Sequence, residues 1–115
     1  MEITTRDAGH VIIVDIKGEI CRSEVGKTTL HEFVKHQLES GRRNILLNFA
    51  GVAFVDSFGV GEILASYTST QNLGGKMKLA CVPNKMNLVF KITWLDHVFE
   101  IFDNEAAALQ TFPDA

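Results

Sequence analysis

The run "NILLNFAG" (Asn44 to Gly51) limits the fold more than any other stretch, because it is nearly continuous in apolar residues. A strand with one wet face alternates polar and apolar residues; a strand covered on both faces need not. Helices must then lie on both sides of a sheet. The neighbouring segments agree. "HVIIVDIKGEI" (His10 to Ile20) is rich in β-branched residues and closes at Gly18, which reads as a strand. A shorter strand around Glu2 to Arg6 precedes it, joined as a hairpin by "DAGH". "KMKLACV" is a further strand with Cys81 as a small core residue, and "HVFEIF" is a last short one.

Helical spacing fills the gaps. Ser23 can cap a helix from about Glu24 to Glu39, with Leu30, Phe33, Val34 and Leu38 inward and Gly41 in the left-handed position after it. A second helix runs from the Asp56–Ser57 junction to about Leu73, with Val60, Ile63, Leu64 and Tyr67 as its stripe and Gly74–Gly75 as its stop. Pro83 and Asn84 open a short helix through "KMNLVFKIT". "DNEAAALQTF" forms the last, capped by Asp103 or Asn104. Strands alternating with helices predict an α/β fold. The sheet should be mixed but mainly parallel, with four to five strands, about four helices and a short N-terminal antiparallel edge strand. Neither repeat nor linker breaks the pattern, so residues 1–115 are expected to form a single domain.

Composition removes several function classes. The formal charge is −3 and Arg42–Arg43 is the one adjacent basic pair, so nucleic-acid binding has little electrostatic support. Cys21 and Cys81 fit no zinc or redox spacing, and a reduced, cytoplasmic setting is expected. The start "MEITTRDAGH" has no apolar signal core, and no apolar stretch approaches the roughly 18 residues of a membrane span. His31 and His36 are five apart, not the four of a helical metal pair, so no metal is expected. "GVG" lacks the third glycine of a dinucleotide fingerprint, and no cofactor is expected. Val55 stands where a hydrolase elbow needs glycine, so Ser57 is not read as a catalytic nucleophile and the chain is not read as an enzyme.

The junction "VAFVDSFGVGEIL" (Val52 to Leu64) is the candidate site. Asp56 or Ser57 can cap the helix that starts there. With Val60 at the centre of the buried stripe, Phe58 falls about 160° away, on an outward face with Gly61, Glu62, Ala65 and Ser69. Phe58 then either forms a contact surface beside small residues or folds back under a loop.

These residues resemble the signature of the STAS domain of bacterial anti-sigma-factor antagonists: an apolar strand end, Asp-Ser, then a helix start containing glycine. "VIIVDIKGEI", "GRRNILLNFAGV" and "NLGGKMKLACVPNKMNLVFKITWLDHVFEIFDNEAAAL" agree in order and spacing, over roughly residues 10 to 110. The resemblance implies a STAS-like fold and a partner that is both anti-sigma factor and serine kinase. The unmodified antagonist sequesters that partner and a sigma factor is released. The kinase phosphorylates Ser57 with ATP bound on its own chain, and a phosphatase resets the switch. Asp56, Ser57, Phe58, Gly61, Glu62, Ala65, Cys21, Arg22 and Glu24 would form the contact.

Three positions depart from the family pattern. Cys21 stands where the family has Asp, and Phe58 where it prefers Ser or Thr. Trp94 stands where it often has Gly. A left-handed Trp costs on the order of 1–2 kcal/mol, so that helix is expected to end by another geometry. A second reading is a non-switching STAS scaffold in a larger signalling assembly or a homodimer. A third is a nucleotide or small-molecule binder at the anion-friendly helix start.

Overall fold

A computed structural model describes residues 1–22 and 27–113. The described residues form a five-stranded sheet whose spatial order follows the chain. The strands are β1 (Glu2–Ala8), β2 (Val11–Ile20), β3 (Asn44–Val55), β4 (Lys76–Ala80) and β5 (Ile101–Phe102). β1 pairs antiparallel with β2, with Gly9 at φ +64 in the hairpin. The remaining pairs are parallel. The helices are α1 (Leu30–Glu39), α2 (Ser57–Asn72), α3 (Asn84–Ile92) and α4 (Glu105–Leu109).

β3 shows why its sequence does not alternate. Ile45, Leu46 and Leu47 are all fully buried. Ile45 and Leu47 pack with Leu30, Val34, Ile63 and Phe90 of α1, α2 and α3. Leu46 faces the other way, onto Ala108 and Phe112 at α4. α4 is held by polar contacts as well. The buried Lys78 on β4 donates to the Thr111 carbonyl at 2.9 Å and hydroxyl at 2.8 Å, and pairs with Glu100 at 2.8 Å. Arg6 on β1 bridges Asp15 and Glu105, tying three elements together.

Four expectations change. The cap at Ser23 and the helix start at Glu24 lie outside the described residues, but Lys27 to Thr29 are not helical. α1 begins at Leu30 because Thr29 and Glu32 form a reciprocal box there. The Thr29 hydroxyl accepts from the Glu32 N–H at 3.2 Å and donates to the Glu32 carboxylate at 3.3 Å. The strand read in "HVFEIF" shrinks to Ile101–Phe102. His97 belongs to a 3₁₀ turn, and Phe99 is spent on packing, edge-on to Tyr67 and Phe90 with centroids 5.5 and 5.4 Å apart. Cys81 is half-buried and left-handed at φ +59, and marks where the chain leaves β4. Trp94 does adopt the left-handed conformation, at φ +64. Its N–H donates to the Lys91 carbonyl at 3.2 Å, and its exposed ring stacks on His97 with centroids 5.2 Å apart.

Candidate functional site

A fifth change concerns α2, which carries the junction. Its buried residues are Gly59, Ile63, Ser66 and Thr70, while Val60 and Tyr67 are half-buried and Leu64 is exposed. The stripe is rotated by about a quarter turn from the one drawn through Val60. Close approach, not hydrophobicity, chose it. A Cβ on Gly59 would sit 2.0 Å from the Ile20 carbonyl oxygen. The buried hydroxyls need no partner off the helix: Ser66 donates to the Glu62 carbonyl at 2.7 Å and Thr70 to the Ser66 carbonyl at 2.8 Å.

This rotation resets the surface. Ser57, the first residue of α2, is exposed. Phe58 moves from the outward face to the flank and is half-buried, with the Arg22 guanidinium 5.3 Å from its ring centroid. Gly61 is exposed, with open space where a Cβ would go. Glu62 and Ala65 are half-buried. Glu62 accepts from the His31 N–H at 3.2 Å, so it serves the start of α1. His31 in turn meets the Ser69 hydroxyl through Nε2 at 2.8 Å.

Asp56 is the cap. One carboxylate oxygen accepts from the Gly59 N–H at 2.8 Å and the other from the Arg22 N–H at 2.9 Å. Its own N–H donates to the Ile20 carbonyl at 3.3 Å. One side chain therefore joins the end of β2 to the start of α2. The Arg22 N–H, then the Gly59 N–H, hold the carboxyl below its ordinary range, with the Phe58 N–H and the Arg22 charge adding to this. Cys21 is buried, its thiol 3.9 Å from a Glu19 carboxylate oxygen, and Arg22 is exposed. Glu24 lies outside the described residues.

Beside the junction lies an apolar groove of about 490 Å³ that the sequence reading did not find. It runs between Val52–Val55 of β3, Val60 of α2, and Pro83–Met86 with Val89 of α3. Phe54 at its rim is 52% exposed, a large apolar area for a strand residue. That exposure depends on β3 outrunning β4, which no local pattern reports.

The sequence profile of the STAS domain matches residues 2–108. The chain belongs to the STAS domain family. This STAS domain is 33% identical over 105 residues to the TM1081 homolog of Thermotoga neapolitana, covering 88% of this chain and 93% of that one. TM1081 of Thermotoga maritima shares the fold with a TM-score of 0.82 at 25% identity, covering 94% and 92% of the two chains. The anti-sigma F factor antagonist of Paenibacillus polymyxa is 29% identical over 102 residues, covering 86% and 84%. SpoIIAA of Bacillus, in its phosphorylated form, superimposes with a TM-score of 0.71 at 20% identity, covering 95% and 97%. Among the described residues, no group of three or more His, Cys, Asp or Glu side chains could hold a metal ion. None of the described helices is long and apolar enough to cross a membrane.

Proposed function

We propose that this STAS domain is an anti-sigma factor antagonist of the partner-switching type, with Ser57 as its switch. The observation that carries the reading is the exposed Ser57 at the first turn of α2, directly after a cap whose carboxylate oxygens are both engaged. The Paenibacillus relative bears the name of an anti-sigma F factor antagonist, and SpoIIAA has a phosphorylated form. In this reading the unmodified domain binds an anti-sigma factor that is also a serine kinase, and a sigma factor goes free in the cytoplasm. The Ser57 oxygen attacks the γ-phosphorus of ATP held by the kinase. The new O–P bond replaces the bond to ADP, and the hydroxyl proton passes to a base on the kinase. A phosphatase hydrolyses the ester.

Phosphate on Ser57 adds about −1.5 to −2 charges beside Asp56. At a helix N-terminus the dipole tolerates that charge, so the fold should survive and the effect should fall on the partner. Asp56, Phe58, Gly61, Glu62, Ala65 and Arg22 form the contact around Ser57, and Cys21 lies buried next to Arg22 in the chain.

The test is calorimetric binding of wild type, Ser57→Ala and Ser57→Asp to the cognate anti-sigma kinase. Ser57→Asp should bind at least about tenfold more weakly, a difference of about 1.4 kcal/mol, with its thermal midpoint nearly unchanged. Incubation with kinase and ATP should add one phosphate to wild type and none to Ser57→Ala. Equal binding by all three proteins would refute the switch.

A further inference from the structure

β3 outruns its neighbour. It pairs with β4 only from Asn44 to Asn48, yet it continues to Val55. β4 ends at Ala80, and the left-handed Cys81 turns the chain away toward Pro83 and α3. The last stretch of β3 is thus paired on the β2 side, through Ile20↔Val55, and faces no strand among the described residues on the other.

The polarity of that free side can be read. The Asp56 N–H donates to the Ile20 carbonyl, and Ile20 is bridged to Val55. In a parallel ladder this makes Phe54 and Asp56 the residues bonded to Ile20, so the Val55 N–H and C=O point away from β2. They point into the apolar groove. Four consecutive β3 residues, Val52 to Val55, line it. Alternate residues belong to opposite faces of a strand, so consecutive ones share a wall only along its edge. The far wall is Pro83, Met86 and Val89. Pro83 stands at the N-cap of α3 and gives no side-chain cap to the helix's first N–H groups, and Lys85 is exposed at the same rim. That end of the groove suits a negative charge.

We propose that the groove receives an extended segment of a partner protein, which adds as a short strand to the free edge of β3. The segment carries apolar residues at alternate positions and an acidic residue toward Lys85 and the start of α3. Val52–Val55 spans about 13 Å, so about four residues pair. Main-chain bonds to Val55 supply registry and the apolar walls supply affinity. The site adjoins Ser57 through Val55 and Val60 but does not require that Ser57 be phosphorylated.

The test is an NMR titration of the full chain with an acetylated, amidated hexapeptide alternating valine and threonine after one aspartate. Amide shifts should fall on Val52–Ser57 and Asn84–Val89, and exchange of the Val55 N–H should slow. N-methylation of the peptide backbone at alternate residues should weaken binding by roughly tenfold or more, as should Val89→Asp on the groove wall, at a position 40% exposed. The proposal is overturned by an absence of shifts at about 1 mM peptide, by unchanged binding of both N-methylated registers, or by shifts on the β1 edge instead.

Discussion

Gly59→Ala tests whether α2 is held by close backbone approach. The added Cβ would stand 2.0 Å from the Ile20 carbonyl oxygen and 2.9 Å from its carbon. Both atoms are backbone, so no rotamer change relieves the clash. α2 must move off the end of β2. That motion stretches the Asp56 N–H bond to Ile20, at 3.3 Å already long, and the Asp56 bond to Arg22. Overpacking typically costs 1–3 kcal/mol. A clash between backbones with a hydrogen bond at risk belongs at the upper end, about 3 kcal/mol. For a chain of this size that lowers the thermal midpoint by about 12 °C. Gly61→Ala is the control: its Cβ meets nothing within 4 Å, and a helical Gly→Ala change should stabilise by about 0.5–1 kcal/mol. Urea unfolding followed by circular dichroism measures both. A loss below about 1 kcal/mol for Gly59→Ala would show that α2 is not in contact with β2 as described.

Three further outcomes follow from single positions. Trp94→Gly removes a left-handed side chain at φ +64, and unfolding should show a net gain of about 1 kcal/mol after the glycine entropy is subtracted. The Asp56 carboxyl titrates lower in the folded than in the unfolded chain, so its contribution is present above the unfolded value near pH 4 and fades as pH falls through the folded one. Stability of Asp56→Asn should therefore fall less steeply than wild type in acid, by denaturant titration at stepped pH. Lys78→Met keeps the packing but removes the donors to Thr111, and should cost about 1–2 kcal/mol and speed amide exchange in α4 more than in α1.

What could be read from the sequence was what is decided locally. The unbroken run at Ile45–Leu47 gave away a strand covered on both faces, and Gly41 and Gly74 do take positive φ where their helices stop. Asp56 was legible as one of two caps. What escaped depends on distant partners. The α2 stripe hid because Gly59, Ser66 and Thr70 carry little hydrophobic signal, and their burial follows from how near Ile20 lies. The start of α1 was legible in principle, since Thr29 and Glu32 stand three apart, but Ser23 competed on equal local terms. "HVFEIF" has strand-forming residues, yet Phe99 gains more by filling the space between Tyr67 and Phe90 than by pairing. The groove could not be read at all, because it is the difference between where β3 and β4 end.

The junction separates anchoring from display within four residues. Asp56 and Gly59 face β2, one through hydrogen bonds to the chain on either side of it, the other by having no side chain to keep the strand away. Ser57 lies between them and is exposed. Phe58 fills the flank under Arg22. A change at Ser57 therefore alters the surface without touching the contacts that hold α2. A change at Asp56 or Gly59 must act on the fold first, and any loss of binding there is ambiguous until stability is known. Phe58 is the informative exception. Phe58→Ser removes a half-buried ring together with its contact to the Arg22 guanidinium, so stability should fall by about 1–2 kcal/mol. If partner binding then falls by much more than the stability does, Phe58 contributes to recognition directly; if the two fall together, its role is to hold Arg22 in place.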